Sequence, residues 1–405
     1  MIKTILLLNP VYVTIFWALV LGSHKVRDHA PKVFLGRFMM VAFVLYLSHF
    51  FYFTLQHETY YYLDSFYTLA SLLVYPLYHI YVRLLTRDSR FSPKTHGRYL
   101  LLPFLVFMLH LTGYLLMNKE EAMRYLVEIL PGHSKGSGLT AYMEIVYFLF
   151  RAVFILQALL YLYLNYRLIV RHNERLVDFY SNTEGRNLNW VQFFNITLAL
   201  TSLASVAAAA AGRDAFAANE FRLAIPSVLF SIMLFSIGFL GNIQGKTDWQ
   251  DETVQDRHGL KPTDGNKYEK DGEGQNHAGP EGHDIPGTMT PDDYLNGIKA
   301  RLDEIFEKEK IFRNPDLRIW DLCGALGTNR TYVSRVINSR YGRNFCNHVN
   351  YYRVEYAKGL VRKNEKLGNE EIAELSGFGS VNSLYRAFQT FEGKSIGEFK
   401  KDTGR

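Results

Sequence analysis

Two short stretches near the C-terminal end of this 405-residue chain carry side chains suited to contact nucleic acid. In the first, Val333, Val336 and Ile337 recur with helical spacing and predict a buried stripe, which leaves a polar face outside. The residues of that outer face are Arg330, Thr331, Ser334, Arg335 and Asn338. Arginine and asparagine can form paired hydrogen bonds with guanine and adenine edges, and serine or threonine can reach a base or a phosphate. The pattern predicts a helix that contacts double-stranded DNA.

The second stretch, 380–391, repeats this arrangement. Its inward positions are Leu384, Phe388 and Phe391, and its outward positions are Val381, Asn382, Ser383 and Arg386. A shorter apolar-faced helix precedes each stretch, and Gly327 or Gly377 separates the two helices of each pair. Because glycine readily adopts the positive φ that such a turn needs, the pattern indicates two consecutive helix-turn-helix units.

The segment between the two units predicts a connecting helix. Its apolar face consists of Phe345, Val349, Tyr352, Tyr356 and Leu360. A rigid helix would fix the separation of the two outward faces, which must lie about 34 Å apart to enter successive major grooves on one side of DNA. Residues 312–405 carry 16 basic and 10 acidic side chains, as expected for a surface that faces phosphate.

The same region resembles a known family. The matching positions are Ile372, Ala373, Gly377, Phe378, Ser380, Arg386, Phe388, Gly393, Ser395, Phe399 and Lys400, with Asn350, Arg353, Tyr356 and Ala357 in the connecting helix. On these residues, 294–400 is similar to the DNA-binding domain of the AraC/XylS family of bacterial transcription regulators. The resemblance implies that the helices beginning near Asn329 and Ser380 are the recognition helices. Four positions depart from the family pattern, namely Cys323, Gln389, Ile396 and Lys400.

The first 241 residues are far more apolar and predict membrane-spanning helices. Seven stretches approach the ~20 residues that a helix needs to cross a bilayer. They are 4–22, 38–57, 66–85, 99–117, 139–164, 189–211 and 223–241. We therefore expect an all-α protein with a seven-helix transmembrane bundle at 1–241, a disordered acidic linker at 242–290 and an AraC-type DNA-binding domain at 291–405.

The charges of the predicted loops set the expected orientation. Loops 23–37, 86–98 and 167–188 together carry twelve Lys and Arg residues, whereas the intervening loops 58–65, 118–138 and 213–222 carry five. Because basic loops remain in the cytoplasm, we expect a multi-pass protein of the bacterial inner membrane with its N-terminus outside and its C-terminal domain in the cytoplasm.

Polar residues within the predicted spans are the candidates for detecting a signal. Glu144 and Arg151 lie two helical turns apart on one face of span five. Charges at that depth usually face a partner or a watery cavity, so the two residues form either a ligand or switch site or a structural ion pair. His49, His79 and His110, in spans two, three and four, can each titrate near neutral pH, although hydrogen bonding between helices is the commoner role for a lone membrane histidine.

A helix is predicted directly after the linker. Thr290 can cap its N-terminus, Pro291 suits its first turn, and its apolar face runs from Tyr294 to Phe306. This face either packs within the DNA-binding domain or pairs with a second copy of the chain.

Several classes of protein lack support in the sequence. The two cysteines, Cys323 and Cys346, exclude a disulfide framework. A phosphate-binding glycine loop, a His-Glu-x-x-His helix and a Gly-x-Ser-x-Gly elbow are all missing from the sequence, so we expect no enzyme, no metal site and no cofactor.

The leading hypothesis is a membrane-integrated, one-component transcription regulator. Its expected partners are promoter DNA, the lipid bilayer and a small-molecule or envelope signal of unknown identity, with RNA polymerase and a second copy of the chain as further candidates. The alternative is a transporter or membrane receptor with an attached regulatory DNA-binding domain. A domain that uses its helices for protein contact alone would leave the outward arginines unexplained.

Overall fold

A computed structural model describes residues 2–24, 30–88, 91–211, 220–244, 290–364 and 366–403. The chain divides into two compact units. Unit 1 consists of Met1–Arg171 and Leu188–Val254, and unit 2 of His172–Asn187 and Gln255–Arg405. The predicted linker at 242–290 lies, apart from its ends, outside the described residues.

Unit 1 is built from helices. Their bounds are α1 Ile2–Gly22, α2 Ala30–Phe53, α3 His57–Thr86, α4 Pro93–His96, α5 Leu101–Leu116, α6 Lys119–Arg124, α7 Leu139–Phe179, α8 Asn189–Ala211 and α9 Glu220–Ile243. The last residues of α7 belong to unit 2. Helix α3 is the central one, since 89% of its most apolar stretch is buried, against 33–44% for the other long apolar helices.

The helices around α3 pack closely on one another. Helix α1 contacts α2 and α9, and α3 contacts α2 and α5. At the α1–α9 contact a Cβ on Gly238 would lie only 2.3 Å from the Trp17 ring, so only glycine lets these helices approach. The outward faces carry exposed side chains such as Leu105, Leu115 and Phe148. An apolar exterior of this kind is expected where lipid replaces water.

Six described helices are long and apolar enough to cross a membrane. They are Thr4–Gly22, Ala30–Phe53, His57–Thr86, Pro93–Leu116, Leu139–Phe179 and Ile225–Ile243. The remaining predicted span, 189–211, coincides with α8, whose side chains from 204 onward lie outside the described residues. The apolar helices of the membrane prediction are thus present.

The predicted bounds of three loops were wrong in part, because helices extend into these loops. Helix α3 already includes 58–65, α2 begins at Ala30 within the predicted loop 23–37, and α7 continues to Phe179 within the predicted loop 167–188. Loop charge identifies residues outside the bilayer but does not end a helix. In α7, Arg167, Arg171 and Arg175 recur every fourth residue, which is compatible with one face of a helix.

Unit 2 contains the predicted helix-turn-helix pairs. Its helices are α10 Pro291–Glu304, α11 Ile319–Leu326, α12 Arg330–Tyr341, α13 Phe345–Lys363, α14 Asn369–Leu375, α15 Val381–Glu392 and α16 Ile396–Thr403. One core joins α10, α11 and α12 to Phe345 and Val349 at the start of α13. A second core joins Val354, Ala357 and Val361 of α13 to α14, α15 and α16. The connecting helix α13 thus contributes to both cores.

Helix α10 packs within its own unit. Leu295, Ile298 and Leu302 are buried in the first core, so the apolar face is already covered there. Thr290 caps the helix as expected, because its hydroxyl accepts a hydrogen bond from the backbone nitrogen of Asp293 at 3.2 Å. Of the two predicted roles for this face, the structure supports packing within the domain.

The turns and caps of the two units follow the sequence with one exception. Gly327 and Gly377 have positive φ of 62° and 81°, and Asn329 and Ser380 cap α12 and α15. At α14, Gly368 occupies the cap position and Asn369 is the first helical residue, although the sequence favours an asparagine as the cap. The Asn369 side chain instead accepts a hydrogen bond from Lys400 Nζ at 2.7 Å.

We predict that Gly377→Ala destabilises unit 2 far more than Gly393→Ala. Both glycines have positive φ, which costs an alanine about 1–2 kcal/mol. At Gly377 the new Cβ would also lie 2.5 Å from the backbone of Arg313, whereas at Gly393 nothing lies within 4 Å. Overpacking adds about 1–3 kcal/mol more. Urea denaturation of the two variants measures the difference, and equal losses would contradict the described turn.

Candidate nucleic-acid interface

The two proposed recognition helices are built to the same plan. Helices α12 and α15 are both 12 residues long, each begins with a capping side chain and each ends at a glycine with positive φ. Each has a buried stripe, formed by Val333, Val336 and Ile337 in α12 and by Leu384, Ala387 and Phe388 in α15. Two helices of equal length and equal register therefore present equivalent positions on their outer faces.

Helix α12 exposes three of the five residues assigned to its outer face. Thr331, Arg335 and Asn338 are exposed, while Arg330 and Ser334 are half-buried. The Arg330 guanidinium lies over the Phe179 ring, 4.4 Å from its centroid. Asn338 Nδ2 donates to Ser334 Oγ at 3.3 Å, within the same helix. Most of this polar face remains accessible to a partner.

Helix α15 exposes two of its four assigned residues. Asn382 and Arg386 are exposed, and Val381 and Ser383 are half-buried. The Ser383 hydroxyl is part of the N-terminal cap, since it accepts from the Ser380 backbone nitrogen at 3.2 Å and donates to the Ser380 carbonyl at 2.7 Å. Val381 packs against the second core. Arg386 is the sixth residue of α15, the position that Arg335 occupies in α12.

Sequence reasoning missed Tyr385 on the outer face of α15. Its side chain is 42% exposed, which is unusual for a large aromatic residue in this unit. Its hydroxyl accepts a hydrogen bond from Asn369 Nδ2 at 3.0 Å. The position matches Ser334 in α12, so alignment of the two helices would have revealed it. An aromatic ring there is suited to apolar contact with a thymine methyl group.

Arg353 of the connecting helix is a structural residue. It is only 1% exposed. Its guanidinium donates to the carbonyls of Phe312 at 2.8 Å and Asn314 at 2.7 Å, to the Ser181 hydroxyl at 3.0 Å and to Asn350 Oδ1 at 3.3 Å. Burial lowers the pKa of Arg353 to about 10, so the side chain stays protonated at neutral pH. The sequence pattern alone did not indicate this role.

Both cysteines are buried. Cys346 Sγ donates to the Ser181 carbonyl at 3.4 Å, and burial raises the pKa of the Cys346 thiol to about 11. A thiol of this kind is mostly protonated at neutral pH and is a poor nucleophile.

The structure gives Glu144 and Arg151 of unit 1 separate contacts. A carboxylate oxygen of Glu144 accepts from the backbone nitrogen of Gly136 at 3.1 Å. The Arg151 guanidinium lies 5.5 Å from the centroid of the Tyr147 ring. Glu144 and Arg151 therefore each contact a residue other than the ion-pair partner that the sequence suggested.

A buried acidic group in unit 1 was not predicted. Asp64 is 4% exposed, and its carboxylate accepts hydrogen bonds from the hydroxyls of Tyr60 and Tyr114, both at 2.6 Å. His110 Nε2 lies 3.6 Å from the same carboxylate, and Ser65 Oγ lies 3.0 Å from His110 Nδ1. The sequence placed Asp64 in an external loop, and only the packing of α3 against α5 brings this cluster together.

Comparison with known proteins identifies the C-terminal part. Residues 322–402 match the family model described as a helix-turn-helix domain, which is of the AraC type. The match covers both proposed recognition helices and the helix that connects them. No curated protein and no solved structure matches the chain. The C-terminal part is therefore an AraC-type DNA-binding domain, the class that the resemblance implied.

We predict that Arg353→Met destabilises the DNA-binding domain by about 1–3 kcal/mol for each buried carbonyl that is left without a donor. The carbonyls of Phe312 and Asn314 would both lose their donor. Lys363→Met, at the exposed end of the same helix, is the control and should change stability by less than about 0.5 kcal/mol. Urea denaturation followed by Trp320 fluorescence measures both, and similar losses would refute the structural role.

Proposed function

We propose that this protein is a membrane-integrated, one-component transcription regulator. Residues 1–241 form a membrane sensor domain, 242–290 an acidic tether and 291–405 the domain that binds promoter DNA. The observation that carries the proposal is the AraC-type helix-turn-helix domain in a chain with six helices long enough and apolar enough to cross a bilayer.

The outer faces of α12 and α15 support specific DNA binding. Arg335 and Arg386 occupy the same position in the two helices, and both are exposed. Arginine is the residue most often used to recognise guanine in the major groove. Because α13 contributes to both cores, it fixes the separation of α12 and α15. Two helices that enter adjacent major grooves need such a fixed separation.

Polar groups within the helices of unit 1 support a sensing role. The Asp64 cluster joins two tyrosines and a histidine to a carboxylate in an apolar bundle, and Glu144 and Arg151 lie on α7. Ionisable residues among membrane helices are costly and commonly mark a ligand or switch site. A signal that binds one arrangement of these helices more tightly than another would shift the population of the regulator between two states.

We predict that residues 290–405 bind selected promoter fragments with an affinity that falls steeply as salt rises. Within this segment, Arg335→Ala and Arg386→Ala should each cost about 1–3 kcal/mol and relax the preference at one base pair. Arg301→Ala, on α10, is the control for loss of one positive charge. Gel-shift titration across single-base variants of the site measures all three.

Two outcomes of this titration would contradict the proposal. Failure of the wild-type segment to retain any fragment after selection would refute sequence-specific DNA binding. Unchanged affinity and base preference in both arginine variants would exclude α12 and α15 as the recognition helices. Equal losses on every sequence would assign the arginine to phosphate.

The loop charges predict a membrane topology. An alkaline phosphatase fusion, which is active only outside the cytoplasm, should be active after Asp64 and inactive after Arg171. A fusion after Asn266, in the proposed tether, should also be inactive because the DNA-binding domain must be in the cytoplasm. The reverse pattern would refute the proposed orientation.

A further inference from the structure

A short stretch outside the helix-turn-helix domain belongs to the same compact unit. Residues 172–187, which we name the docking segment, consist of the end of α7 and the chain that follows it. In sequence the docking segment lies directly after the predicted fifth membrane span. Within unit 2 it contacts both recognition helices and the helix that connects them, as the following contacts describe.

At the first recognition helix, the docking segment covers Arg330. The Phe179 ring lies 4.4 Å from the Arg330 guanidinium and packs on the first core. Arg330 is the first residue of α12. The N-terminal residues of a recognition helix are those that reach base edges and phosphates, so Phe179 occupies a DNA-contacting position.

At the second recognition helix, the docking segment places a carboxylate on Arg386. Glu184 Oε1 accepts from Arg386 Nη2 at 2.9 Å, and Glu184 Oε2 accepts from the Ser380 hydroxyl at 2.5 Å. Ser380 is the cap of α15, where the helix dipole attracts negative charge. Arginine side chains and helix N-termini are also the groups that bind DNA phosphates. The Glu184 carboxylate therefore has the contacts that a phosphate would make.

Between the two recognition helices, backbone contacts hold the docking segment. The Ser181 nitrogen donates to the Leu317 carbonyl at 3.1 Å, and Tyr180 forms an antiparallel bridge with Arg318. The Ser181 carbonyl accepts from Arg353 Nη1 at 3.4 Å and from Cys346 Sγ at 3.4 Å. Because hydrogen bonds are directional, these contacts fix the position of the docking segment on the domain.

The docking segment does not fill all the space between itself and the domain. A cavity of about 190 Å³ remains between the docking segment and the domain. Its lining combines polar side chains such as Asn182, Asn347 and Arg386 with the apolar Phe378, Ala387 and Phe391. Glu184 also keeps 33% of its side chain exposed. Polar, water-accessible contacts of this kind are typical of an interface that opens and closes.

We infer that the docking segment is an intramolecular occupant of the DNA-binding face and that it competes with DNA. The inference rests on the proposed function, since it assumes that α12 and α15 bind DNA. With Glu184 on Arg386 and Phe179 on Arg330, the seated segment contacts one arginine of each recognition helix, and it holds Arg386 in an ion pair while 63% of that side chain stays exposed. DNA binding therefore requires the segment to leave its seat.

The test uses the full-length chain in phospholipid nanodiscs. Glu184→Lys reverses the charge beside Arg386 and should release the segment, which raises DNA affinity at least about fivefold, within the usual range of coupling between two sites. Glu174→Lys makes the same charge change at an exposed position of the same segment and is the matched control. Equal affinity of the two variants would overturn the competition.

A second measurement follows the docking segment without DNA. Maleimide labelling of Cys346, which lies under Ser181, should be several times faster in Glu184→Lys than in the wild-type protein or in Glu174→Lys. Peptide mapping separates Cys346 from Cys323, and unchanged labelling of Cys323 in the first core shows that the domain stays folded.

The two measurements distinguish the possible failures. Slow labelling of Cys346 in Glu184→Lys would overturn docking through Glu184. Fast labelling with unchanged DNA affinity would show that the segment docks without competing. If no form of the protein binds DNA, the proposed function fails, while the labelling still decides whether the segment is seated through Glu184.

Discussion

The DNA-binding unit depends on one helix that serves two cores. Val349 of α13 packs in the first core and Val354 in the second, and Arg353 lies between them. A buried guanidinium is costly to desolvate, and here hydrogen bonds to backbone carbonyls offset that cost. Because those carbonyls precede the first helix-turn-helix unit, Arg353 fixes that unit on α13. The relative orientation of the two recognition helices follows from this arrangement.

The same arginine also contacts the docking segment, for which we propose a regulatory role. The Arg353 guanidinium also bonds the hydroxyl of Ser181, so the group that holds the frame helps to seat the docking segment. The carboxylate of Glu184 then reaches Arg386 only a few residues along the chain. Arg353 therefore stabilises the domain and also contacts the segment that we propose DNA displaces. Such a combination allows a switch to act on DNA binding without unfolding the domain.

The sequence predicted the repeated units well because local rules govern them. Glycine at Gly327 and Gly377, capping at Asn329 and Ser380, and the spacing of buried residues such as Val333 and Leu384 all act within a few residues. The same rules predicted the apolar helices of unit 1. A family pattern in the C-terminal part added the class of domain, which the family match confirmed.

Features that depend on distant residues could not be predicted from the sequence. Asp64 meets Tyr114 and His110 only because α3 packs against α5, and periodicity gives no information about that contact. Glu184 lies far from Arg386 in sequence, and a charged residue in a basic loop looks like an ordinary solvated side chain. The spacing predicted that Val381 and Ser383 lie on the outer face. Ser383 instead takes part in the N-terminal cap of α15, and Val381 packs against the second core.

Hydrogen exchange of the full-length protein in nanodiscs, with and without its promoter fragment, tests the central claim most directly. The claim is that DNA and residues 172–187 use the same face of the domain. Addition of DNA should slow exchange in α15 and accelerate exchange at the Ser181 amide, which is bonded to the Leu317 carbonyl in the seated state. Slower or unchanged exchange at Ser181 while α15 becomes protected would mean that both occupy the domain together, and would contradict the account.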